Sequence, residues 1–149
     1  MKLPIVLYMS KKNNAQFNYR IYYEDTDAGG VVYYANYLKF FERARTDFLR
    51  SIGIIQNKLA LEENLIFVVK RCIVDYQYPA RLDDEINVNV KIIEIKKASL
   101  IISQEITKLL DCDNSTQAIA KLEVQIVCVN NQNFKPTKLP QKLIELIHV

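Results

Sequence analysis

Phe17, Tyr19, Ile21 and Tyr23 alternate with Asn18, Arg20 and Tyr22, the period of a half-buried strand. From Asn36 to Ser51 the period lengthens. Tyr37, Phe41, Ala44, Phe48 and Ile52 recur at helical spacing, Leu38, Phe40 and Leu49 widen the stripe, and Gly53 supplies a stop. Beyond the helix the period returns to two. Residues 65–78 form a long β-rich run that ends at Pro79. In 85–95, Ile86, Val88, Val90 and Ile92 share one face, and residues 99–110 follow as another strand. In 117–129, Leu122, Val124, Ile126 and Cys128 are in phase, after a turn at 111–115. A short helix is expected within 138–147, starting near Pro140.

One strand, one long helix and about four more strands predict an α+β domain built on an antiparallel sheet. The expected division is an extension over 1–16 and a single domain over 17–149. Long strands in a small chain leave an edge that a second copy can cover, so a homodimer or tetramer is expected.

Composition narrows the chemistry. The 149 residues are half apolar and a quarter charged, with a formal net charge of +3, which suits an anionic small molecule and falls short of a nucleic-acid binder. Three cysteines without CxxC spacing read as buried free thiols in a reducing cytoplasm. The single histidine, His148, stands beside the C-terminus. That leaves no imidazole for most metal sites or triads. Pro4 breaks the short apolar start, no cleavage site follows, and Met9 is a second plausible start, so no signal peptide is expected. No apolar run reaches the 18 residues a spanning helix needs.

The stretch YYEDTDAGGVVYYANY, residues 22–37, holds the candidate chemistry. Glu24, Asp25 and Asp27 run into Gly29 and Gly30, two of only three glycines in the chain. Glycine so placed answers a demand for positive φ or for close approach. A calcium loop fails because Asn36 stands where a bidentate Glu is required. A phosphate loop fails because Val31-Val32 replaces its Lys-Ser/Thr pair. Two readings remain from the residues: a bland strand-to-helix loop, or a carboxylate at Asp27 facing the free N–H groups of a helix start. The second would supply an attacking or water-activating group and donors for an oxyanion, as acyl transfer needs.

Residues 22–46 together with 68–84, the VCV at 127–129 and the Leu-Pro at 139–140 resemble the hotdog-fold acyl-CoA thioesterases. The similarity is to the YbgC-type, Tol–Pal-associated branch of the 4-hydroxybenzoyl-CoA thioesterase family. The resemblance implies a five-stranded antiparallel sheet wrapped around a long central helix, and dimers with active sites at their interface. It implies hydrolysis of an acyl-CoA to free acid and CoA, with no cofactor beyond the coenzyme A of the substrate. It maps the catalytic aspartate to Asp27 and the carbonyl-polarising backbone N–H to Tyr34. The branch usually carries histidine where Tyr34 stands, so any proton-shuttling role of that histidine is missing here.

Gly29, Gly30, Val31 and Asn36 are the expected substrate contacts nearby, with Asn36 favoured as a helix cap. Lys70, Arg71, Arg81, Lys96 and Lys97 are candidates for the phosphates of coenzyme A, of which one or two are expected to serve. Glu24 and Asp25 are expected to be structural, Arg43 and Arg45 to form helix-surface ion pairs, and Tyr76, Tyr78 and Pro79 to pack the core. The alternative function is a non-catalytic hotdog protein that docks acyl carrier protein or phospholipid-synthesis enzymes, peripheral at the inner membrane. A hotdog dehydratase ranks behind both, since it relies on an active-site histidine.

Overall fold

A computed structural model of the chain describes residues 13–147. The second start at Met9, the first twelve residues of the expected extension and His148 lie outside the described residues. Five antiparallel strands form one sheet: β1 (Asn14–Arg20), β2 (Leu65–Tyr76), β3 (Glu85–Ile95), β4 (Ser99–Leu109) and β5 (Thr116–Asn130). Their order is β1-β3-β4-β5-β2, so β2 forms one edge. β1 starts three residues ahead of the expected domain boundary, with Asn14 opposite Lys91.

The long helix α1 (Tyr37–Ser51) packs on the sheet through Phe40, Phe41, Ala44 and Phe48, all buried. They meet the alternating faces of the strands: Ile86, Val88, Val90 and Ile92 from β3, and Leu122, Val124, Ile126 and Cys128 from β5. One row of side chains crosses the whole sheet on this face. It runs Phe17, Val88, Ile106, Ala120, Tyr76, each opposite the next. The helix ends at Gly53, whose φ of +88° only glycine adopts without strain.

Beneath α1 lies a buried amide. Gln104 of β4 donates from Nε2 to the Phe41 carbonyl (3.1 Å) and the Asn89 carbonyl (3.3 Å), and its Oε1 accepts from Arg45 Nη1 (2.9 Å). Arg45 is therefore no surface ion pair; it turns inward. Arg43 makes none either among the described residues and places its guanidinium 5.3 Å from the centre of the Phe40 ring.

Other expectations are corrected. A second helix, α2 (Gln56–Glu63), fills what the pattern left blank, because it buries only Leu59 and so shows little periodicity. Leu38 is 39 % exposed and stands outside the stripe that α1 buries. Of the three free thiols only Cys128 is buried; Cys72 and Cys112 are exposed. The closing helix α3 (Gln141–Leu146) begins just after Pro140 as expected. In β2, Val69 pairs with Ile126 and Arg71 with Gln125, which leaves Lys70 as the extra residue of a β-bulge. Among the described residues no helix is long and apolar enough to cross a membrane.

Candidate active site

Between β1 and α1 the chain makes two tight turns, and backbone hydrogen bonds lock them together. Asp25 is buried, and its Oδ2 accepts the Tyr22 N–H at 2.9 Å. The Asp25 carbonyl accepts twice, from the Tyr33 N–H (3.0 Å) and from Asn36 Nδ2 (2.9 Å). Asp25 is thus structural, as expected, and clamps the start of the helix to the acidic turn. Asn36 spends its amide on that carbonyl and makes no side-chain cap, contrary to expectation.

Asp27 begins the second turn. Its N–H donates to the Val31 carbonyl (2.9 Å), and its own carbonyl accepts from the Gly30 N–H (3.0 Å). Oδ1 accepts the Gly29 N–H at 2.8 Å, while Oδ2 has no partner among the described residues. The side chain is exposed. The glycines divide the two demands read from sequence. Gly30 has φ of +77°, and a Cβ at Gly29 would sit 3.1 Å from Asp27 Oδ1.

A 3-10 turn, Tyr34–Asn36, leads into α1. The Asn36 N–H donates to the Tyr33 carbonyl (2.8 Å). Among the described residues the N–H groups of Tyr34 and Ala35 meet no acceptor. These are the orphan donors of a helix start, at the positive end of its dipole.

An aromatic hollow of about 270 Å³ adjoins these donors, lined by Val32, Tyr34, Tyr37, Tyr76, Tyr78 and Pro79 among others. The Tyr34 and Tyr76 rings meet edge-on at 6.1 Å, and Tyr37 and Tyr76 lie 5.7 Å apart. Tyr37 accepts the Ala80 N–H on its hydroxyl at 3.0 Å. Burial pushes the Tyr37 phenol above its ordinary pKa, and the hydrogen bond from the Ala80 N–H offsets part of the rise. Tyr76 and Tyr78 are half exposed and line the hollow with Pro79, where core packing was expected. Sequence reasoning missed them because it had no means of knowing that β2 is an edge.

The expected phosphate contacts are scattered. Arg71 and Lys96 line a hollow of about 200 Å³ with Ile73, Ile101, Glu123 and Gln125. It lies on the sheet face away from α1, and Arg71 stands roughly 17 Å along β2 from Tyr76 at ~3.3 Å per residue. Lys70 sits on the bulge and Lys97 in the turn between β3 and β4, neither of them in that hollow. Val31 contributes its carbonyl to the Asp27 turn.

The family model of the thioesterase-like superfamily matches residues 22–147. The chain belongs to this superfamily. Its relatives in that superfamily include an acyl-CoA thioesterase YbgC of Haemophilus influenzae, 40 % identical over 136 residues that cover 91 % of this chain and 96 % of the relative. Among solved structures, a probable thioesterase from Bartonella henselae superposes with a TM-score of 0.75 at 34 % identity, covering 85 % of this chain and 99 % of that one. The 4-hydroxybenzoyl-CoA thioesterase of Pseudomonas sp. strain CBS-3 gives 0.83 at 19 % identity, covering 91 % and 99 %, and speaks for the fold alone. The thioesterase fold is the hotdog expected from residues 22–46, five antiparallel strands with the long helix packed against them.

Proposed function

We propose that this protein hydrolyses an acyl-CoA thioester to the free acid and CoA, with Asp27 as the reacting carboxylate. The observation that carries the reading is the pairing of an exposed carboxylate oxygen and two N–H groups, none with a partner among the described residues, on turns clamped to each other through Asp25. The thioester carbonyl would point at the Tyr34 N–H, and the acyl group would lie in the tyrosine-lined hollow. Attack on that carbonyl, by Asp27 or by water it deprotonates, puts negative charge on the oxygen that the amide faces. Collapse of the tetrahedral species expels CoA as the thiolate. Where Asp27 attacks, the acyl–aspartyl anhydride so formed is then cleaved by water, which frees the carboxylate; where Asp27 deprotonates water, its proton passes to the thiolate, and on either route water supplies the second oxygen of the acid. Carboxylate, amide and water complete this balance, so turnover needs no added metal or organic cofactor.

The name of the Haemophilus influenzae relative supports a CoA ester as substrate. Acyl carrier protein presents the same thioester and remains a second donor to be assayed. We also infer a homodimer, on the strength of the exposed apolar positions along β2: Val69 is 52 % exposed, Ile73 46 % and Tyr76 48 %.

Thiol release from a panel of acyl-CoA esters, from acetyl to long-chain and benzoyl, tests the reading. The wild type should turn over at least one ester with and without EDTA. Asp27→Asn should lose roughly 100-fold or more. Equal background release by both proteins across the panel would refute an enzyme and leave a docking protein.

A further inference from the structure

Tyr76 is the last residue of the edge strand, opposite Ala120 on the helix-facing side of the sheet. Its hydroxyl donates to the Tyr34 carbonyl at 3.1 Å. Its ring stands edge-on to Tyr34 and leans on Tyr37, which the Ala80 N–H fixes in turn. A carbonyl in the first turn of a helix already has donors within the helix. The hydrogen bond from Tyr76 is therefore an addition that helix formation does not require.

The peptide unit that carries the Tyr34 oxygen also carries the Ala35 N–H, one of the two without an acceptor. A donor on the oxygen draws charge towards it and makes the N–H on the same unit a stronger donor. It also fixes the plane of that unit, and so the direction in which the Ala35 N–H points, beside the Tyr34 N–H. Stabilising an oxyanion depends on donors held in place before the charge develops.

We propose that Tyr76 is a positioning residue of the thioesterase site, which holds and polarises the Ala35 N–H, the donor beside the Tyr34 amide at the start of α1, through its hydrogen bond to the Tyr34 carbonyl. The inference rests on the reading of Asp27 and the Tyr34 amide given above. Tyr76 touches no reacting atom; it acts through the peptide. A ring that served packing alone would need no hydroxyl, whereas this hydroxyl has the Tyr34 carbonyl as its partner. The consequence is that the sheet's edge helps to set the rate at the helix start.

Tyr76→Phe keeps the ring and removes the donor. With the best ester of the panel, kcat should fall roughly three- to tenfold, the worth of one neutral hydrogen bond. KM should stay within about twofold, and the melting temperature should barely move. A spectroscopic readout separates this from a structural role. The ester, labelled at its thioester carbonyl, is bound to Asp27→Asn, where it is not consumed, and the carbonyl stretch is measured. Adding Tyr76→Phe should shift that band back towards its position in water. An unchanged kcat, or a fall in kcat with the band unmoved, would overturn the proposal. Failure of the underlying reading looks different: Asp27→Asn would then hydrolyse the ester as fast as the wild type, whatever stands at 76.

Discussion

Gly30 has φ of +77° with open space around the position a Cβ would take, whereas Gly29 has ordinary φ and no room beside the Asp27 carboxylate. Adjacent substitutions should therefore fail in different ways. Gly30→Ala should cost about 1–2 kcal/mol of stability, from the left-handed backbone alone, and leave kcat near wild type. Gly29→Ala should melt close to wild type but lose roughly tenfold in kcat, because its methyl displaces the reacting carboxylate by a few tenths of an ångström. Melting curves and thioester kinetics on both variants decide it. Full activity in Gly29→Ala would mean that the orientation of the carboxylate does not matter. The same scale shows where sequence stops short. The need for both glycines was legible from their scarcity, but which one served backbone and which one served space depended on the fold around Asp27.

Among the elements, α1 and β3 were legible because each buries one clean face, and only one period fits such a face. α2 was not, since a helix that hides a single leucine leaves its pattern to polar residues that any loop could carry. Arg45 was misread for a related reason. Helical spacing placed it on the flank of the stripe, but no spacing announces that a glutamine on β4 will rise to meet it. That contact ties α1 to the middle of the sheet through an amide shared by the Phe41 carbonyl and the Arg45 guanidinium. For Tyr76, alternation along residues 65–78 predicted a strand correctly, yet strand order decided whether its last residue packs a core or borders a hollow.

For the whole molecule, the edge position of β2 sets access to the tyrosine-lined hollow and carries the proposed dimer. β1, the other edge, is seven residues long and alternates exposed with half-buried positions, while β2 runs twelve residues with apolar side chains in the open. In the proposed dimer, a two-fold pairing of β2 with its copy would shield these side chains, Val69 and Tyr76 on one face and Ile73 on the other, and satisfy the free backbone groups. Sedimentation should give twice the chain mass for the wild type and a single chain mass for Val69→Lys, where two like charges would be brought together. A wild type that sediments as a single chain at micromolar concentration would remove the dimer. That such an edge exists was expected from long strands in a small chain; which strand it is came only with the order β1-β3-β4-β5-β2.

The unpaired Lys70 gives this strand a reading frame. Strict alternation from Val69 would send Arg71, Ile73 and Asp75 towards the helix and turn Tyr76 away. The extra residue slips the count by one, so that Cys72, Val74 and Tyr76 stand opposite Val124, Leu122 and Ala120. Insertions and deletions here behave like frameshifts. Removing Lys70 should spare the frame and most of kcat, whereas removing Ile73 should swing Tyr76 to the outer face and depress turnover at least as far as Tyr76→Phe does. Equal kcat from the two deletions would show that the frame is not set at Lys70. One residue with no partner across the sheet thus decides, six positions on, which way a tyrosine faces.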